Sequence, residues 1–165
     1  MVDDPSTLLA RASHAFRASR HQDCLNICRS LLERSPDNAE ALFLVAQAAQ
    51  QVGDNGLADR AFRMLINLRP PRSEHWLAYA SFLRRHKLLE PAEALLRDLL
   101  KTSPKLSPAW HMLGLCLFDG GRFQEAADAA QKSHQIDPAR SQGWELAAAA
   151  RQRMGDLSGA IETCR

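Results

Sequence analysis

Three side chains with the chemistry of a metal site stand near the start of the chain: His21, Cys24 and Cys28. On a helix their spacing puts them on one face, and imidazole with thiolates is a zinc donor set. A closed zinc site needs a fourth donor, and nothing nearby supplies one. Free cysteine also serves as a small buried hydrophobe, so the expectation is packing and no metal. The other histidines, His14, His75, His86, His111 and His134, stand in no arrangement with a carboxylate and a nucleophile. They read as helix-surface or inter-helix residues. Gly120-Gly121 lacks the Lys-Ser or Lys-Thr of a phosphate-binding loop. Arg84-Arg85 lacks the aromatic interleaving of a single-strand binder, and a formal net charge of +2 is too small to announce nucleic acid or an anionic membrane. No catalytic residue, cofactor or metal is expected. What remains is recognition by surfaces.

Those surfaces must be built from helices. The chain has 165 residues, 45% hydrophobic and 24% charged, which suits a domain with a sizeable core. Ala and Leu dominate, and the β-branched residues that sheets favour are few. The longest apolar runs, such as Ala41 to Ala46, are far shorter than the ~18 residues of a bilayer span. Asp3 and Asp4 stand where a secretory signal would be basic. Cys24, Cys28, Cys116 and Cys164 show no CxxC spacing and no disulfide-rich density. A cytoplasmic location is expected.

Self-similarity organises the chain. Pro36, Pro70, Pro104 and Pro138 are each 34 residues from the last. At the same step lie small residues: Ala12, Ala46, Ala80, Gly114 and Ala148, and again Cys24, Ala58, Ala92, Ala126 and Ala160. Large residues recur at Leu8, Leu42, Trp76, Trp110 and Trp144, and a further column, Leu31, Leu65 and Leu99, is broken by Ser133. Small side chains let helix backbones approach, and large ones fill the space beside them.

Local signals place the helix ends. Ser107-Pro108 reads as an N-cap followed by Pro at the first helical position. Gly53-Asp54 and Gly155-Asp156 read as a C-terminal glycine followed by the next N-cap, and Gly120-Gly121 as the same bend. First helices are expected near 5–18, 39–52, 73–86, 107–119 and 141–154. Second helices are expected near 22–34, 56–68, 89–102, 123–136 and from 157 onward.

With these columns the sequence resembles the tetratricopeptide repeat family, whose unit is a helix–turn–helix of the same length. The fourth unit carries the best match, Trp110, Leu113, Gly114 and Leu117 followed by Ala126 and Pro138. It departs at Leu117, where Tyr is usual, and at Ala130, where an aromatic is usual. The resemblance implies an all-α fold, a right-handed α-solenoid of stacked antiparallel helix pairs. One array over 1–165 is expected, in units 5–38, 39–72, 73–106, 107–140 and an incomplete 141–165.

In that family the first helices line a concave face that holds extended peptides or partner helices. The corresponding residues here are Phe43, Leu44 and Gln47, then Leu77, Arg84 and Arg85, then His111, Met112, Leu115 and Phe118. An apolar strip rimmed by polar groups marks an interaction surface; Phe43, Met112 and Phe118 would anchor a partner, and the arginines would meet its carboxylates. The carboxylate clamp of chaperone-binding members is not expected, because positions such as Leu44, Ala78 and Met112 carry no Lys or Asn. The asparagine ladder of glycosyltransferase-linked arrays is replaced by Ala10, Leu44, Ala78, Met112 and Leu146. The resulting expectation is a protein–protein scaffold or adaptor that binds a peptide or partner helix. Its rival is the recruitment arm of a larger enzyme, of glycosyltransferase, sulfotransferase or hydroxylase type. Self-association through the incomplete C-terminal unit is a further expectation.

Overall fold

Helix boundaries follow the sequence period. A computed structural model describes residues 4–68 and 72–155. First helices α1 (Pro5–Arg17), α3 (Ala39–Val52), α5 (Ser73–Arg85), α7 (Ser107–Asp119) and α9 (Ser141–Arg153) begin at 34-residue steps. Second helices α2 (His21–Arg34), α4 (Asn55–Asn67), α6 (Leu89–Thr102) and α8 (Phe123–Ile136) do the same. No strand occurs among the described residues. Asp4, Asn38 and Asp54 cap α1, α3 and α4 through their side chains, with Asn38 Oδ1 and Asp54 Oδ1 accepting backbone N–H bonds at 2.9 Å. Such caps satisfy helix N–H groups that have no intrahelical partner.

The chain divides into two compact units, Met1–His75 and Trp76–Arg165. In the first, α1 packs on α2, α2 on α3 and α3 on α4, while α1 also reaches α3. In the second, α6 packs on α7, α7 on α8 and α8 on α9, while α7 reaches α9. Short bends between consecutive helices make them antiparallel neighbours. The small columns sit at the crossings: Ala12, Ala46, Ala80 and Gly114 are buried, as are Cys24, Ala58, Ala92 and Ala126. A Cβ on Gly114 would stand 3.0 Å from Leu146 Cδ2, and one on Gly143 would stand 3.0 Å from Ala130 O and His134 N. Those two glycines bring α7 and α9 onto the backbone of α8. Ala148 is half-buried. Ala160, Pro70, Asp156, Cys164 and the expected helix from 157 onward lie outside the described residues, and with them the expected self-association surface.

The bends share one backbone device. Ser19 (φ 58°), Gly53 (φ 82°), Lys87 (φ 61°), Gly121 (φ 75°) and Gly155 (φ 81°) are the described residues with positive φ, and each follows the last by 34 positions. A left-handed residue ends one helix and turns the chain into the next. Glycine meets this demand freely, whereas Ser19 and Lys87 bear the Cβ penalty.

One sequence expectation is corrected. Helix α7 begins at Ser107 itself, with Leu106 at the cap position and no side-chain cap bond. The Ser107 hydroxyl instead donates to Ser133 O at 3.0 Å, the Ser133 hydroxyl donates to Ser107 O at 3.0 Å, and the two hydroxyls are themselves 3.0 Å apart. Both serines are buried. This exchange explains the break in the leucine column, since a leucine at 133 would leave the Ser107 hydroxyl with fewer partners.

Two stability outcomes follow, both read by urea unfolding. Lys87→Gly should stabilise by a few tenths to about 1 kcal/mol, the relieved left-handed strain outweighing the added freedom of the unfolded chain. Ser133→Leu, although it restores the repeat pattern, should destabilise by about 1–3 kcal/mol through overpacking and lost hydrogen bonds.

Candidate functional site

The ten surface residues named from the sequence fall into the two units. In the first, Phe43, Leu44 and Gln47 are half-buried on α3. The Phe43 ring lies against the His75 imidazole, with centroids 5.6 Å apart. His75 is buried, and that burial, with Arg72 nearby, lowers its pKa against the opposing pull of Glu74.

In the second unit, Leu77 and Arg84 are half-buried on α5, and Arg85 is exposed beside them. His111, Met112, Leu115 and Phe118 are half-buried along α7. His111, Leu115 and Phe118 are spaced four and three residues apart, and Met112 lies three before Leu115, which places them on one broad face of that helix. Leu115 and Phe118 pack against the buried cluster of Leu146, Ala147 and Ala130. Phe118 also meets Phe123 edge-on at 5.3 Å. Its ring is therefore both part of the fold and part of the surface.

The polar groups are not all available to a partner. Arg84 Nη1 donates to Asp119 Oδ2 at 2.8 Å, and their side chains are only 27% and 24% exposed. This ion pair fastens α5 to α7 and occupies one edge of a guanidinium that the sequence reading offered to a ligand. Arg84 Nε and His111 Nδ1 are buried and find no hydrogen-bond partner among the described residues. Burial, then the positive charges of Arg140 and Arg84, push the His111 pKa down against Glu145. Arg153, in the last turn of α9, has its guanidinium carbon 5.8 Å from the Phe118 centroid and 5.1 Å from that of Phe123. Sequence spacing does not show the aromatic pair beneath Arg153.

Cys24 and Cys28 are buried on α2; burial and the neighbouring Cys24 push the Cys28 thiol up to about 12, and burial pushes Cys116 up to about 11. His21 turns its ring edge-on to Phe16 at 5.3 Å. No group of three or more potential metal ligands occurs among the described residues. Glu93, nearly buried on α6, is held by Arg97 and by Arg122 at 2.8 and 2.9 Å; Arg122 also pairs with Glu125. Hydrogen bonds to Glu125 and then Glu93 raise the Arg122 pKa.

A hollow of about 410 Å³ uses a different face of α7, with Trp110, Leu113 and Leu117 beside Arg97, Glu125 and Lys132. A hollow of about 320 Å³ in the first unit includes Arg29, Val45 and Leu57. These occupy the repeat positions of Arg97, Leu113 and Glu125. The recurrence marks both hollows as products of repeat packing. The face bearing Met112 and Phe118, by contrast, has a composition particular to its unit.

Comparison with known proteins agrees with this architecture. Residues 107–140 match the family model described as tetratricopeptide repeat. The chain is 28% identical over 120 residues to small glutamine-rich tetratricopeptide repeat-containing protein 2 of Mycosarcoma maydis, covering 73% of this chain. It spans about a third of that relative's length, 34%. Among solved structures, MamA from Desulfovibrio magneticus RS-1 superposes with a TM-score of 0.81 at 20% identity, covering 99% of this chain and 93% of that one. YrrB, described as a tetratricopeptide protein with an unusual peptide-binding site, gives 0.74 at 15% identity, covering 97% and 82%. The fold class is that of an all-α tetratricopeptide solenoid.

The His111 environment has a consequence for stability. Its pKa is lowered on folding, so below the ordinary value of 6.5 the unfolded chain takes up a proton that the folded chain resists. This contribution is complete above that pH and is lost as pH falls through the folded pKa. The urea midpoint of the unmodified chain should therefore drop more between pH 7.5 and pH 5 than that of His111→Gln, with His75 accounting for part of the residual drop.

Proposed function

We propose, on the premise that this is a chain of tetratricopeptide-type hairpins, that it is a non-catalytic scaffold. It binds a peptide or a partner helix on the surface of its first helices. The observation that carries the reading is the half-buried row His111, Met112, Leu115 and Phe118 on α7. Apolar side chains that retain accessible surface beside fixed polar groups suit the anchoring of a partner's apolar residues. Phe118 sits on a packed floor, which limits the ordering cost of binding. Phe43, Leu44 and Gln47 supply the corresponding contacts in the first unit, and Leu77, Arg84 and Arg85 supply those of α5. Arg84 serves with Asp119 as a fixed polar rim, rather than as an unengaged cation.

That a structural relative is described by its peptide-binding site supports peptide recognition. An adaptor role in the cytoplasm belongs to the same proposal, on the cysteine usage of the sequence.

Site-specific photo-crosslinking tests it. A benzoylphenylalanine replacing Met112 on α7 should capture a bound partner from cell extract. The same group replacing Gln131, exposed on α8, should capture little. Efficient capture from position 131 and none from 112 would move the binding surface to the second helices.

A further inference from the structure

The basic groups around the α7 face differ in what already satisfies them. Arg84 is committed to Asp119, Arg140 pairs with Asp137 at 3.4 Å, and Arg122 lies between Glu93 and Glu125. Arg153 is held in another way. Its guanidinium carbon lies 5.1 and 5.8 Å from the centroids of two rings that pack edge to face. No carboxylate among the described residues pairs with it, and the residue is exposed. Aromatic contact fixes a guanidinium while leaving its N–H edge for a planar acceptor. That pre-organisation reduces the entropy lost when a carboxylate arrives.

Directly beside this cation lies Phe118, half-buried, with Leu115 on the preceding turn. We infer that Arg153, stacked on Phe118 and Phe123, is a specificity-determining subsite for a peptide carboxylate, and that the preferred ligand is a segment bearing Asp or Glu next to an apolar residue. The apolar residue covers Leu115 and Phe118, and the acidic one receives a forked hydrogen bond from Arg153. Charge complementarity selects this occupant: among the described residues no carboxylate answers the guanidinium at the bend end of α7 and α9, while the Arg84 charge is offset. The inference rests on the proposed surface and adds to it the chemical class of the ligand.

A library of random displayed peptides, selected separately against the whole chain and against Arg153→Glu, tests it. Because Arg153 is exposed, the variant should keep its helical circular dichroism and unfolding midpoint. The unmodified chain should enrich Asp or Glu adjacent to an apolar residue, and Arg153→Glu should enrich Lys or Arg at that place. For the tightest selected peptide, replacing its acidic residue by the amide should weaken binding about tenfold to the unmodified chain, the scale of one charge-assisted contact. The same replacement should change little with Arg153→Gln. Arg153→Lys keeps the charge and loses the planar fork, and should fall between. Enrichment of apolar peptides with no acidic preference would overturn the carboxylate subsite and leave the binding surface standing. Equal loss from the amide peptide with Arg153→Gln would place the carboxylate elsewhere and overturn the assignment. Failure to enrich any peptide would remove both readings.

Discussion

Helix backbones can come within touching distance only where side chains are nearly absent, and the rest of both units depends on that constraint. Ala12, Ala46, Ala80 and Gly114 on first helices, and Cys24, Ala58, Ala92 and Ala126 on second helices, are the buried small residues that satisfy it in the four fully described hairpins. Close approach then determines how far apart neighbouring helices lie and which residues fill the seams. Phe62, Leu31, Leu65 and Leu96 are among the largest fully buried side chains for that reason. Where Gly114 and Gly143 face the same helix, the fit is tighter still, with prospective Cβ contacts at 3.0 Å.

The same packing decides what the first helices show to the outside. A residue at the margin of the buried seam of α7 is neither core nor open surface, so His111, Met112, Leu115 and Phe118 remain partly accessible. The electrostatics are organised by pairs between adjacent elements. Asp119 answers Arg84 across α5 and α7, and Glu93 answers Arg122 across α6 and the bend before α8. Such ties between helices give the half-buried row a defined backing, because a guanidinium gripped by a carboxylate resists rotation.

The helix limits were readable in the sequence because one step length governs everything: α3, α6, α7 and α8 occupy the residues that the columns of Ala, Leu and Pro assigned to them. Gly53 and Asp54 behave as their types suggest, since a left-handed terminus and a side-chain cap are local properties. Ser107 did not, because its choice of partner is settled by Ser133 on the next helix, 26 residues away. A hydroxyl can serve its own helix end or a neighbour, and local spacing does not distinguish these. The left-handed bends at Ser19 and Lys87 were legible only through their register with Gly53 and Gly121, because their own side chains argue against that conformation. Surface placement was likewise clearer than pairing. Arg84 was recognisable as a surface residue, whereas its bond to Asp119 required knowledge of how two rotating helix faces meet. A repeat does carry a usable signal for such bonds: residues one period and one position apart lie on adjacent first helices, as these two do.

The cysteines lead somewhere else. Thiolate is the form that attacks electrophiles, and folding suppresses it at Cys24 and Cys28 in one unit and at Cys116 in the other, by burial and by pKa values raised as far as about 12 and about 11. Alkylation at these positions must therefore wait for the surrounding helices to part. The chain carries native clocks for its own breathing: modification rates at Cys24 and Cys28 time the opening around α2, and the rate at Cys116 times that around α7.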